Sequence, residues 1–214
     1  MNKRIILLNG PINCGKGFIA KALINRLGGT EQEFKEKLYV ATSNSFGVDL
    51  EWFKGQATDR ILKEKRCEKL VLVETEYSTL CKFLGKKPTE KVYPYCISPR
   101  EAMIFTSEVL MKPTYGDDYF GIATAKGMVE GNNYVSDSGF KEEAAVQVEQ
   151  FGRENVLLIR IHRDGCEFSS QDSRDYINLN DLGVATLDLD NNHDIEEVVN
   201  TIADFMYVNL GKEC

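Results

Sequence analysis

Apolar residues along the chain recur with two different periods, and the alternation between them is the first structural signal. Residues 4–9, Arg-Ile-Ile-Leu-Leu-Asn, form a short continuous apolar run bounded by Gly10 and Pro11, the pattern of a strand buried on both faces. From Lys16 the spacing changes. Phe18, Ile19, Ala22, Leu23 and Leu27 fall three or four apart, as on one face of a helix, and Gly28-Gly29 supplies its stop. Phe34, Leu38, Ala41, Ser45 and Phe46 keep helical spacing as far as Gly47. Asp49-Leu-Glu-Trp opens another helical stretch, and a further one is expected from Thr58 to Arg66. Between about 67 and 97 no period is readable, and Lys86-Lys87-Pro88 and Tyr93-Pro94 act as breakers.

Ser98-Pro99-Arg100-Glu101 marks a helix start, with Ser as N-cap, Pro at the first helical position and an acid in the first turn; this helix is expected to run to Leu110. The last third alternates again. Asn133 to Ser136 is strand-like, and Lys141 to Phe151 is helical with Ala144, Ala145, Val148 and Phe151 on one face. Val156 to Ile161 and Val184 to Leu189 read as strands. Ile195 to about Val208 closes the chain as a helix with Val198, Val199, Ile202 and Phe205 inward. Strands separated by helices imply parallel pairing through right-handed crossovers, covered on both faces. The fold class expected is α/β in three layers.

Composition narrows the function classes. The net charge of −7 speaks against a general nucleic-acid polymer binder, which normally presents a basic surface; it leaves room for a local basic pocket. No apolar run approaches the roughly 20 residues that span a bilayer, so no membrane partner is expected. The start, Met-Asn-Lys-Arg and four apolar residues before Asn9-Gly10-Pro11, lacks a secretory h-region and cleavage site, and a cytoplasmic protein is expected. Six cysteines without a Cys-x-x-Cys pair, and His162 and His193 as the histidines, signal neither zinc nor a disulfide framework. The run Lys63-Glu64-Lys65-Arg66 reads as a solvated helix face.

The sharpest motif is Gly10-Pro-Ile-Asn13-Cys14-Gly15-Lys16, the phosphate-loop pattern G-x-x-x-x-G-K set between a buried strand and a helix. The glycines let the backbone curl so that amides face inward, the helix N-terminus adds its positive end, and Lys16 reaches the outer phosphates. Gly17 and Phe18 follow, where such a loop ordinarily has a Ser or Thr whose hydroxyl helps hold Mg²⁺. Either the metal is held by phosphates, water and a carboxylate, or binding has survived while catalysis has weakened.

Asp137, at the end of the 133–136 strand, lies on the sheet edge where ligands of parallel sheets gather. It either holds Mg²⁺ through water or orients an attacking phosphate, or it caps the helix that carries Glu142 and Glu143. Arg160 and Arg163 flank another strand end, and Arg174 follows in a polar segment that reads as a lid over 163–176. Lid arginines supply positive charge and exclude water during phosphoryl transfer, and Arg163, just past the strand, is favoured over Arg160. Arg174 is otherwise an exposed charge, and His162 reads as structural. Arg100 at its helix start, joined by Arg60, suggests an anion there, since the dipole disfavours a cation; the alternative is an ion pair to Glu101 or another surface acid.

Together these residues resemble the bacteriophage-type deoxynucleoside monophosphate kinases over most of the chain. The resemblance rests on the phosphate loop, Phe34-Lys-Glu-Lys37-Leu with Phe46-Gly47, and Asp59-Arg60…Lys63-Glu64. It continues through Ser98-Pro99-Arg100-Glu101-Ala-Met103, Tyr115-Gly116-Asp117-Asp118-Tyr119-Phe120, Asp137-x-x-Phe140-x-x-Glu143-Ala144, Arg160-Ile-His-Arg163, and Gly183-Val184-Ala185…Asn191-Asn192. It implies a P-loop fold with a parallel sheet of about five strands, the fifth near 30–33, as one kinase domain: a core of about 1–34 and 127–214 and an inserted monophosphate-binding helical region of about 35–126. It also implies ATP and Mg²⁺ as cofactors and the host cytoplasm as the compartment of a phage-encoded enzyme.

By the same resemblance Arg60 and Arg100 clamp the acceptor phosphate, Phe120 packs near the base where the family tends to carry Trp, and Lys37, Asp137, Glu143 and Arg174 complete the substrate site. Lys16, Arg100, Asp137 and Arg163 carry catalysis, and Gly10, Asn13, Cys14, Gly15, Lys16, Gly17 and Phe18 hold the donor. The departures are Gly17, Gly139 where the family commonly has Arg, and Ser173-Arg174 in place of Ser-Glu. The expected activity is transfer of the ATP γ-phosphoryl group to a deoxynucleoside 5′-monophosphate, with a homodimer left open. The rival is a catalytically weak or inactive nucleotide-binding protein acting through a protein partner. A GTPase is poorly supported, because there is no Asn-Lys-x-Asp motif.

Overall fold

The structure, a computed structural model, describes residues 3–88, 93–168 and 174–211. Five parallel strands form its main sheet, in the order β2-β5-β1-β6-β7. These are β1 (Lys3–Asn9), β2 (Thr30–Gln32), β5 (Gly131–Ser138), β6 (Val156–His162) and β7 (Ala185–Asp190). The central strand β1 is apolar on both sides because both sides are covered. Ile6 and Leu8 join one core with Ile19, Leu23, Leu157, Ile159, Val199 and Ile202, under helices α1 (Lys16–Leu27) and α9 (Ile195–Leu210). Ile5 and Leu7 join the other with Val135, Ala144, Val156 and Leu158, under α8 (Lys141–Phe151). The alternation of period two along one strand thus divides the two cores.

This is the α/β architecture expected, with helices on both faces of a five-stranded parallel sheet. The strand expected at 133–136 runs over 131–138, and the short polar β2 occupies 30–32. On α8 the buried face is Glu143, Ala144, Val146 and Gln147. It is rotated from the one expected because a further helix, α7 (Tyr119–Ala125), lies against it: Gln147 Nε2 donates to the Gly121 carbonyl at 2.9 Å.

The chain divides into two compact units, one of residues 1–34 and 120–214 and one of 35–119. The second unit has its own core of Phe53, Leu70, Tyr77, Leu80, Ile97 and Phe105. It holds α2 (Phe34–Phe46) from Lys35 onward and α3 (Leu50–Thr58), started by Asp49, whose carboxylate accepts from Trp52 N at 2.8 Å. The segment 67–97 contains β3 (Cys67–Leu72), α4 (Glu74–Phe83) and β4 (Tyr95–Ile97), with β3 and β4 antiparallel.

The helix expected over 58–66 is not formed. Asp59 accepts from the amides of Ile61 and Leu62, each at 2.8 Å, so the backbone turns away from helix and only a single 3₁₀ turn at Leu62–Glu64 follows. The helix started by Ser98 continues beyond Leu110: α5 (Pro99–Ile104) passes into a π-helical stretch, Phe105–Met111, then α6 (Lys112–Tyr115). Pro113 lacks the amide an α-helix needs at that point, and the widened turn just before it accommodates the loss. Among the described residues no helix is long and apolar enough to cross a membrane.

Candidate functional site

Between β1 and α1 the chain makes a tight loop shaped by two glycines. At Gly10 a side-chain carbon would stand 2.7 Å from both Cys14 Sγ and the Ile161 carbonyl oxygen, so glycine alone lets β1 leave the sheet this close to β6. Gly15, the N-cap of α1, has φ 103°, a left-handed conformation that a side chain disfavours. Asn13 also has positive φ, 67°, which asparagine tolerates better than most residues.

Lys16 turns back over this loop. Its Nζ donates to the carbonyls of Gly10 at 2.6 Å and Pro11 at 2.7 Å, and lies 3.7 Å from Cys14 Sγ. Burial pulls its ammonium below the ordinary lysine range; Cys14 opposes that and the charge of Arg174 adds to it. Burial likewise pushes the Cys14 thiol up, against the influence of Lys16. The first amides of α1 have no intrahelical acceptor, and Gly15 brings no side chain to cap them. A partly buried cation and a helix N-terminus therefore converge on this loop, which favours an anion.

Around the loop, Arg163 Nη1 lies 3.9 Å from the Cβ position of Gly15. Asn191 Nδ2 donates to the Cys14 carbonyl at 2.7 Å. The stem of Arg174 lies across Gly139, where a side-chain carbon would be 2.6 Å from its Cδ. Asp137 Oδ1 accepts from the Phe34 amide at 2.8 Å, where β2 passes into α2. It does not cap the helix that follows it, since the N-cap of α8 is Phe140, with no side-chain cap bond. Lys16, Asp137, Arg163 and Arg174 all belong to the unit built on the main sheet. Part of the lid segment, 169–173 with Ser173, lies outside the described residues.

Phe120 and Glu143 belong to the same unit and are buried, at 2% and 8% exposure. Lys37, Arg60 and Arg100 lie in the other unit. There the Arg100 Nε pairs with Glu64 Oε1 at 2.6 Å, both side chains half exposed, while Glu101 turns back to accept from the Ser98 amide at 3.1 Å. The surface acid that takes Arg100 is thus Glu64.

Beside the loop a cavity of about 680 Å³ is lined by His162, Arg163, Phe168, Tyr176, Asp188 and Asn192 among others. Tyr176 packs on the His162 ring at 4.4 Å and donates to the Ile161 carbonyl at 3.1 Å. Asp188 is bonded to Arg160 and, at 2.8 Å, to His162 Nε2, and Arg160 before all else holds its carboxyl below the ordinary value. Arg160 is therefore engaged within the sheet, while Arg163 stands at the loop. Aromatic faces and carboxylates suit a base and sugar better than phosphate.

Among the described residues no group of three or more His, Cys, Asp or Glu side chains is arranged to hold a metal ion. Mg²⁺ at a nucleotide takes one or two carboxylates beside the phosphates and water. Glu31 on β2, and Glu33 and Asp137 at the ends of β2 and β5, are donors of that kind.

The sequence reading missed three residues. Asn9, fully buried, donates to the carbonyls of Ser138 at 3.0 Å and Asp175 at 3.2 Å and accepts from the Ile177 amide at 3.0 Å. The others are Asn191 and Glu31. An asparagine ending an apolar strand directly before the loop glycine was the available signal for Asn9. No protein-family model matches the chain, and no curated protein matches it.

Proposed function

We propose that the chain is a kinase that moves the γ-phosphoryl group of ATP to a deoxynucleoside 5′-monophosphate, giving the diphosphate. The observation that carries this reading is the Lys16 ammonium, partly buried at the head of α1 and held by two loop carbonyls. Incoming phosphate oxygens replace those carbonyls as its partners, so the lysine is already desolvated and aimed before the donor arrives. Gly10 and residues 13–18 hold the donor phosphates, and its nucleoside extends toward the cavity at His162 and Tyr176.

An acceptor phosphate oxygen attacks the γ-phosphorus in line; the bond to the β-bridging oxygen breaks, and ADP leaves with that electron pair. Lys16, Arg163 and Arg174 stabilise the charge on the transferring oxygens. Arg100 and Arg60 hold the acceptor phosphate, with Arg100 exchanging Glu64 for it. Lys37, Phe120 and Glu143 enter through the resemblance to the phage-type kinases alone. Asp137 would reach Mg²⁺ through water, and the ion would supply positive charge to the donor phosphates.

A second reading has one observation in its favour, the absence of a hydroxyl at Gly17: a nucleotide-binding protein that acts through a partner without turnover. Lys16→Ala separates the two. A kinase loses ADP formation in a coupled assay with the accepted monophosphate by at least about a hundredfold. A binding protein loses ATP affinity and shows no turnover in the wild type with any of the common deoxynucleoside monophosphates, which would sink the kinase.

A further inference from the structure

Glycine at position 17 is not required by the fold. Its φ is not positive, and a side-chain carbon there would meet nothing nearer than Glu31 Oε1, 3.9 Å away. A serine would fit, and a phosphate loop ordinarily has one at this point for the nucleotide's divalent cation. What stands beside the empty position is a carboxylate.

Three acids lie along β2 and at the end of β5, and two of them are committed. Glu33 accepts from Ser136 Oγ at 3.3 Å, and Asp137 accepts from the Phe34 amide at 2.8 Å. Glu31 is partly buried on β2, with its backbone paired in register with Tyr134, and its carboxylate makes no hydrogen bond or ion pair with any described residue. A carboxylate beside a phosphate site repels the nucleotide unless a cation stands between them. A carboxylate oxygen is also a better Mg²⁺ ligand than a neutral hydroxyl.

We infer that Glu31 is the protein's direct ligand to the divalent cation of the bound nucleotide, taking the place of the hydroxyl that Gly17 lacks, while Asp137 reaches that cation only through water. The inference rests on the nucleotide reading of the loop. It gives the missing serine a chemical replacement drawn from a neighbouring strand instead of from the helix itself.

The test is calorimetric titration of ATP into wild type, Glu31→Gln, Glu31→Asp and Gly17→Ser/Glu31→Gln, each in EDTA and in Mg²⁺, with Mn²⁺ titrated into the ATP complexes and followed by electron paramagnetic resonance. In EDTA, Glu31→Gln should bind ATP as tightly as wild type or tighter, since a repelling charge is gone. Its nucleotide complex should hold Mn²⁺ about tenfold or more weakly. Glu31→Asp should fall between, and the serine in the double variant should restore much of the lost affinity. Unchanged Mn²⁺ affinity in Glu31→Gln, with ATP binding intact, overturns the metal assignment and leaves the nucleotide reading standing. No ATP binding by wild type in either buffer overturns the nucleotide reading and this inference with it.

Discussion

Substituting Gly15 by alanine perturbs the loop at the point where its geometry is most demanding, and Gly17→Ala, two residues on, is the natural control. At φ 103° an alanine incurs about 1–2 kcal/mol of backbone strain. Its Cβ would also lie 2.6 Å from Asn191 Nδ2, so the amide must swing away and release the Cys14 carbonyl it holds at 2.7 Å, a net loss of about 1 kcal/mol. The sum is a destabilisation of about 2–3 kcal/mol. At Gly17 neither term applies, and alanine should stabilise by up to about 1 kcal/mol through reduced freedom of the unfolded chain. Urea unfolding followed by far-UV circular dichroism reads both. For a chain of 214 residues the Gly15 variant should melt roughly 4–12 °C below wild type and bind ATP poorly. A Gly15→Ala protein within about 0.5 kcal/mol of wild type, the range of an ordinary surface change, would show that the loop does not need this conformation.

Three further outcomes are expected. Asn9→Ala strips three bonds from a fully buried position and should destabilise by about 2–4 kcal/mol, with faster hydrogen exchange at the Ile177 amide as the local marker. Arg160 and His162 hold the Asp188 carboxyl below its ordinary value of 3.8, so the folded state binds that proton more weakly than the unfolded one. The stabilisation is complete above that value and is lost as pH falls through the lower folded one, so the melting-temperature gap between wild type and Asp188→Asn should close in that acid range. Arg100→Ala should shift stability by less than about 1 kcal/mol, as for an exposed ion pair, yet raise the acceptor KM about tenfold or more; Glu64→Gln should lower that KM by removing the competing carboxylate.

What was legible in the sequence follows from where the determinants lie. β1 and β6 are buried on both faces, so an unbroken apolar run marks them in the letters, while α1 and α9 bury one face each, which spacing of three and four marks. The loop between β1 and α1 is legible because its glycines and lysine, Gly10, Gly15 and Lys16, fall within seven residues of sequence. β2 is three polar residues, Thr-Glu-Gln, and carries no apolar signal at all. α4 opens at Val73 without a Ser, Thr or Asp cap; Glu76 reaches back to the Val73 amide at 3.0 Å instead, a start that no cap residue announces. The helix expected at 58–66 was lost to one aspartate that bonds its own following amides. Asn191 was hidden for a different reason: its partner, Cys14, is 177 residues away, and spacing rules do not reach that far. Glu31 was hidden because its meaning depends on an absence, the missing side chain at Gly17.

The most direct test of the kinase reading is to follow ATP, Mg²⁺ and each deoxynucleoside monophosphate over the wild-type protein by ³¹P magnetic resonance. The expected result is loss of the β- and γ-resonances of ATP with matching growth of two diphosphate species for at least one monophosphate, and no such change with Lys16→Ala. An ATP spectrum that stays unchanged with every monophosphate, in protein shown to bind ATP, contradicts it.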